Sequence, residues 1–188
     1  TRTRIAEAAL AEFAAKGFRA ASISAIAKRA DISRSTVHFH FQTKIDLANE
    51  IGFAVYPEAQ VVYVSLGAVD GTDEHTVHAW LDRFYAFFRS NRAKLSVAAQ
   101  ANMAEPALGQ DLADILDDFA VRIVRALGGG IAEPPAMHVE LVRFLLIALD
   151  RYGYVTEIQG VVLRDAIEDA IVANIMWTLQ QVARQHQQ

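Results

Sequence analysis

The chain has 188 residues, 53% of them hydrophobic, which is enough apolar material for one or two domains with a real core. It has no cysteine, so a disulfide framework, an iron–sulfur centre, a thiolate zinc site and a thiol nucleophile are excluded together. The formal charge of −4 hides a split: residues 1–50 hold eight Lys or Arg against five Asp or Glu, and residues 51–188 hold ten against seventeen. A head of +3 on a body of −7 places a phosphate-seeking surface at one end of the chain. The longest apolar run, residues 144–149, is far short of the roughly 18 residues that suggest a membrane span. The sequence opens at Thr1 with no basic-then-apolar leader, and a cytoplasmic location is the expectation.

Apolar residues recur at three and four positions nearly throughout, and no alternating β-branched run ends in a hairpin turn, so an all-α fold of about nine helices is predicted. The first helix covers about 2–16, with Ile5, Ala9 and Phe13 on one face. Gly17 ends it as a left-handed residue, and Phe18 falls back against Phe13. Ser22 caps a second helix two turns long, with Ile23, Ile26, Ala27 and Ala30 along one side. Asp31 and Ile32 make the next break, and Ser33 caps a third short helix that runs to about Phe41. Thr43 caps a fourth, with Asp46 placed to complete a capping-box exchange. Further breaks at 67–73, 90–91, 105–106, 128–135 and Gly160 divide the rest into helices of about 47–66, 74–89, 92–103, 109–127, 136–157 and 161–186. The last two are predicted to form an antiparallel hairpin.

Three short N-terminal helices, the second and third separated by a tight turn, are a helix-turn-helix arrangement, in which the third helix enters the DNA major groove. On that helix Val37 and Phe41 stack at i and i+4 as anchors to the core. Ser35, His38 and Phe39 project the other way, with Arg34 and Thr36 on the flanks and His40 at the edge of the core face. An isolated exposed phenylalanine is common on any protein, but its neighbours form a groove-reading set. Arg34 offers a bidentate donor pair to guanine, Ser35 and Thr36 bond bases or phosphates, His38 and His40 donate to phosphate, and Phe39 can press on a thymine methyl. The two histidines diverge at i, i+2, which disfavours a metal site. Lys44 stands in the first turn of its helix, where a cation is mildly unfavourable unless a phosphate lies beside it. It is read as a clamp on the DNA backbone, the alternative being a solvated lysine.

Residues 22–51, SISAIAKRADISRSTVHFHFQTKIDLANEI, resemble the signature segment of the TetR family of bacterial regulators. The resemblance includes Ala8, Ala9 and Phe13 of the preceding helix and the Gly17 after it. It extends through Ile26-Ala27, Ser33 opening the recognition helix, Phe41 closing it, and Lys44 and Leu47 starting the next, and it covers about the first fifty residues. Two positions depart from it. Asp31 occupies a turn where glycine is usual, and His38 replaces a tyrosine that touches phosphate, which implies a weaker or pH-dependent contact. The resemblance implies a DNA-binding domain over 1–46, Ser22 included in the interface, and a helical regulatory domain over 47–188 that holds a ligand pocket. It also implies a homodimer in which the last two helices pair with a partner's, and repression as the usual mode.

The sequence agrees on dimerisation. Leu141, Val142, residues 144–149 and Tyr152 leave one of these helices apolar on most sides, and Ile167, Ile171, Ile175, Met176, Trp177 and Leu179 do the same for the other. Deep burial within one subunit is the alternative. For a small, largely apolar or aromatic effector, the candidate lining is the stripe Trp80, Phe84, Phe87 and Phe88, with Tyr63, Gln100, Asn102, Met103, Phe119 and Tyr152 on segments expected to surround it; a helical aromatic stripe more often means core packing, and that is the favoured reading of any one of these alone. His75 and His78 at i, i+3 suggest a solvated helix start more than a metal site. No cofactor is predicted. An enzyme finds little support, since no phosphate-cradling glycine loop, HExxH or serine elbow occurs. A DNA-binding protein controlled by a protein partner in place of a small ligand is the other alternative.

Overall fold

The helical periodicity is realised as ten α-helices, with no strand among the described residues of the computed structural model, which are 1–104, 109–162 and 165–184. They are α1 (Arg2–Ala20), α2 (Ile23–Arg29), α3 (Arg34–His40), α4 (Lys44–Phe53), α5 (Tyr56–Val64), α6 (Glu74–Ser90), α7 (Arg92–Ala104), α8 (Gly109–Leu127), α9 (Ala136–Gly153) and α10 (Asp165–Arg184). The expected break at 105–106 and the last residues of the final helix lie outside the described residues. No helix among them is long and apolar enough to cross a membrane.

The single helix expected over 47–66 is two. α4 ends at Phe53, and α5 starts at Tyr56 with Pro57 in its first turn, where a missing N–H leaves no bond unmade. In a continuous helix the Pro57 ring would collide with the carbonyl of Phe53, so the chain turns at Ala54 and Val55. The helix expected over 136–157 also changes form. α9 stops at Gly153 and widens into a π-turn over Tyr154–Ile158, with Gln159 N donating to Tyr154 O at 3.0 Å.

The helices form two compact units. The first is Thr1–Pro57 with Asn91–Gln110, so α7 joins α1 to α4 although more than thirty residues separate it from them in sequence. Here α1 packs on α2, α4 and α7, α2 on α3, and α4 on α7. Ile5, Ala9 and Phe13 are fully buried as their spacing predicts, and meet Ile26 and Ala27 of α2, Val37 of α3, Phe41, Leu47 and Ile51 of the α3–α4 segment, and Val97 and Ala101 of α7. Buried Glu12 pairs with Lys16 of its own helix at 2.7 Å and with Arg29 at 3.2 Å, and the second pair ties α1 to α2.

The second unit, Glu58–Ser90 with Asp111–Gln188, is built round aromatic rings. α9 and α10 pack on one another and both pack on α6. Trp80 stacks on Phe84 with centroids 5.2 Å apart, Phe84 meets Phe88 at 5.0 Å, and Tyr63 lies 5.5 Å from Phe119. Every polar atom this cluster carries inward must find a partner. Trp80 Nε1 donates to Val62 O at 3.0 Å, and Tyr63 Oη donates to Asp150 Oδ1 at 2.9 Å. Burial pushes the Asp150 carboxyl above the usual carboxylate range, against the opposing effect of the tyrosine bond.

Gly153 closes this core, because a Cβ there would lie 2.8 Å from the buried Phe88 ring, itself held between Phe84 and Phe87. Gly153→Ala is therefore expected to lower stability by about 1–3 kcal/mol through overpacking, against a gain of at most about 1 kcal/mol in helix propensity. Urea unfolding measures the balance. An unchanged or raised midpoint would mean that the Phe88 ring yields.

Candidate nucleic-acid interface

The head is set by caps that the sequence shows locally. Ser22 Oγ accepts from Ala25 N at 3.2 Å, Ser33 Oγ from Thr36 N at 3.0 Å, and Thr43 and Asp46 exchange bonds of 3.1 and 2.8 Å in a full capping box. Between α2 and α3 the chain closes in a Schellman motif: Ile32 N donates to Ala27 O at 3.1 Å and Asp31 N to Lys28 O at 3.2 Å. Asp31 is the left-handed residue of that motif, at φ 52°. An aspartate tolerates this conformation at some cost, where glycine would be nearly free of it.

α3 presents its two faces as its sequence predicts. Val37 and Phe41 are buried, while Phe39 is 84% exposed and Arg34 and Ser35 are exposed beside it. His38, His40 and Thr36 are half-buried. The hydroxyls of Ser35 and Thr36 each lie 2.7 Å from that of Ser33, and the Phe39 ring meets His40 edge-on at 5.1 Å. Arg34 Nε donates to His38 Nε2 at 3.3 Å. The result is a short helix held from beneath, with a cation, hydroxyls, an imidazole and a phenyl ring on its outer side. Such a set suits a DNA groove.

Two contacts that fix this helix escape a sequence reading, because their partners are distant along the chain. Arg2 pairs with Glu50 through bonds of 3.0 and 2.8 Å, donates to His40 O at 3.2 Å and lies over the Phe41 ring, joining α1, the end of α3 and α4. Gln100 of α7 accepts from Phe18 N at 3.0 Å through Oε1. That bond supports the kink of α1 at Gly17, whose φ of 78° and ψ of 158° belong to a region open essentially to glycine. The left-handed helix end expected at Gly17 is thus an extended kink, after which α1 continues to Ala20.

Lys44, expected as a clamp on the DNA backbone, is engaged within the protein. Its Nζ donates to Phe18 O at 2.8 Å, Ala21 O at 2.9 Å and Arg19 O at 3.1 Å, and it sits over the Phe18 ring. All three ammonium hydrogens are engaged by carbonyls at the end of α1 and at its C-cap Ala21, where a cation is favoured. The same lysine at the start of α4 is thereby placed at the end of another helix.

The residues expected around an effector fall into both units. Gln100, Asn102 and Met103 stand on α7 in the first, with Met103 78% exposed and Gln100 engaged by Phe18. Tyr63, Trp80, Phe84, Phe87, Phe88 and Phe119 are buried in the second, and Tyr152 is half-buried there, its ring 6.0 Å from that of Tyr85. His78 lies 3.6 Å from Glu74, and no group of three or more potential metal ligands occurs among the described residues.

Residues 5–51 match the family model of bacterial regulatory proteins, tetR family. Among solved structures, the TetR family transcriptional regulator PfmR from Thermus thermophilus is similar at 18% identity and a TM-score of 0.60, over 94% of this chain and 97% of that one. GusR from Salmonella enterica is similar at 21% identity and a TM-score of 0.55, over 97% and 95%. These likenesses establish the fold. No curated protein matches the chain in sequence.

Two outcomes follow from the head's construction. Lys44→Met is expected to cost about 1.5–3 kcal/mol of stability by stranding three carbonyls, and to leave the salt dependence of DNA binding unchanged. A salt slope lowered by about one would restore the phosphate clamp. The second concerns pH. Lys16 and then Arg29 hold the Glu12 carboxyl below its ordinary 4.5, and Arg2 does the same for Glu50. A lowered value in the folded state means that the stabilisation is present above 4.5 and disappears as pH falls through the folded values. Chemical unfolding between pH 6 and 3 is expected to show that decline, and Glu12→Gln to flatten it; equal slopes for the two proteins would refute the assignment to Glu12.

Proposed function

We propose that this chain, whose residues 5–51 carry the N-terminal segment of the tetR family, is a homodimeric transcriptional repressor that leaves a palindromic operator when a small apolar or aromatic molecule binds. The observation that carries the proposal is α3. Two buried anchors hold it, and Arg34, Ser35, Thr36, His38 and Phe39 face outward from it on a helix-turn-helix. In this role Arg34 reads guanine, Phe39 meets a thymine methyl, Ser35 and Thr36 contact bases or phosphates, and His38 and His40 donate to phosphate. Ser22 and the backbone N–H groups that open α2 and α4 bind phosphate, and Lys44 holds their scaffold. Functionally, residues 1–46 are the DNA-binding domain and 47–188 the regulatory one.

Exposed apolar side chains support pairing of two subunits through 136–157 and 161–186. Phe144 is 71% exposed and Trp177 52%, with Met137, Ile147 and Ile167 also open to solvent. A surface of this kind on a monomer is unfavourable and a two-fold partner covers it. Effector binding is assigned to the second unit's aromatic cluster, where Tyr63, Trp80, Phe84, Phe87, Phe88 and Phe119 supply apolar contact and the Tyr63–Asp150 pair a polar one. Operator and effector then oppose one another by a coupling of about 1–3 kcal/mol. The site of control lies in a cytoplasmic protein that meets no membrane.

Selection of duplexes from a random pool is expected to return an inverted repeat with half-sites about one helical turn or slightly more apart. Arg34→Ala is expected to cost about 1–3 kcal/mol of discrimination at one base pair of each half-site. Phe144→Asp is expected to yield a monomer by sedimentation and to abolish tight binding to that repeat. Failure to enrich any duplex would sink the proposal, and a monomeric wild-type protein would remove its two-fold part.

A further inference from the structure

We infer that His38 is a positioning residue for base recognition: its Nε2 holds Arg34 Nε at 3.3 Å, and protonation of the imidazole releases that guanidinium from its aim. The inference rests on the DNA-binding role proposed above and concerns which chemical state of the helix reads sequence. Arg34 and His38 stand at i and i+4, so their side chains meet on one flank of α3. For Nε2 to accept a bond its lone pair must be free, which requires the neutral ring with hydrogen on Nδ1. Arg34 then keeps its two terminal nitrogens for a base edge, while its Nε is tethered and its long side chain has less freedom to lose on binding.

A proton on Nε2 turns this acceptor into a donor and sets two cations against each other. The bond is lost, Arg34 swings free, and both side chains gain a reason to seek phosphate, which carries no sequence information. Imidazole is the side chain that makes this change between about pH 5 and 8.

The other charged groups around the head are engaged elsewhere or stand exposed. From α1, Arg2 is paired with Glu50 of α4. From α2, Arg29 is paired with Glu12, and Lys28 is exposed. In the turn, Asp31 is exposed. From α4, Lys44 is bound to the carbonyls of α1, and Asp46 closes its own capping box. On α3 itself His40 is the second imidazole, and it is kept in every variant so that the substitutions at position 38 alone isolate His38.

The probe is the duplex that the wild-type chain enriches from a random pool at pH 8, compared with a scrambled duplex of equal length, using full-length protein with His40 intact throughout. Between pH 8 and 5.5 the ratio of specific to scrambled affinity is expected to fall about tenfold, the order of one lost bidentate contact. The salt slope on the scrambled duplex should rise by about one. The variant His38→Gln, whose amide oxygen can accept from Arg34 but does not titrate, is expected to keep the pH 8 ratio at both pH values. The variant His38→Phe is expected to give the low ratio at both, with helical circular dichroism confirming that each variant is folded. The inference is overturned by a ratio that does not change with pH in the wild-type protein, by the same pH dependence in the His38→Gln protein, or by a His38→Phe protein as selective as its parent. If no duplex is enriched at pH 8, the DNA-binding role and the inference fall together.

Discussion

The head depends on how the C-terminal end of α1 is tied down. A helix ends with carbonyls that have no partner within it, and here three of them, from Phe18, Arg19 and Ala21, converge on one ammonium. That ammonium belongs to the first residue of α4, just after α3. From the other direction Gln100 takes the N–H of Phe18 at the Gly17 kink. The end of one helix therefore fixes the start of another, and α3 lies between two anchored points. Arg2 completes the arrangement at the far end of α1, where it holds the last carbonyl of α3 and the carboxylate of Glu50.

What was legible in the sequence was whatever the chain decides locally. Ser22, Ser33 and the Thr43–Asp46 box cap their helices within three residues, and the buried face of α3 follows from Val37 and Phe41 being one turn apart. Asp31 reads as a left-handed turn because aspartate is among the few non-glycine residues that accept that conformation. The long-range contacts were not legible, since an arginine at position 2 carries no mark of a partner at 50. Lys44 shows the difficulty most clearly. Its place in a first turn, unfavourable for a cation, signalled a compensating negative partner, but sequence could not tell a phosphate from the carbonyl end of a helix in the same protein. Pro57 lay in plain view within the span expected as one helix, and its rigid ring was the reason for two.

The second unit solves a different problem. Its rings fill the interior with large, stiff side chains, and each buried polar atom they introduce needs an answering group. Val62 and Asp150 provide two. Burial and hydrogen bonding act in opposite directions on the Asp150 carboxyl, and burial dominates. Loss of the tyrosine bond would leave a buried carboxyl without its partner in an otherwise apolar cluster, which is why the pair is costly to break.

The discontinuity of the first unit bears on the order in which the protein is made. α7 supplies Val97 and Ala101 to the same core as α1 and α4, and Gln100 to the Gly17 kink, yet it is synthesised after α5 and α6. The first 57 residues alone lack that wall of their core and the acceptor for Phe18, so the head is complete only after the chain has been extended past residue 104. Pairing of such distant segments also raises contact order, which slows folding relative to a bundle of sequence neighbours. A nascent chain therefore carries α3 well before it has the scaffold that holds the helix still.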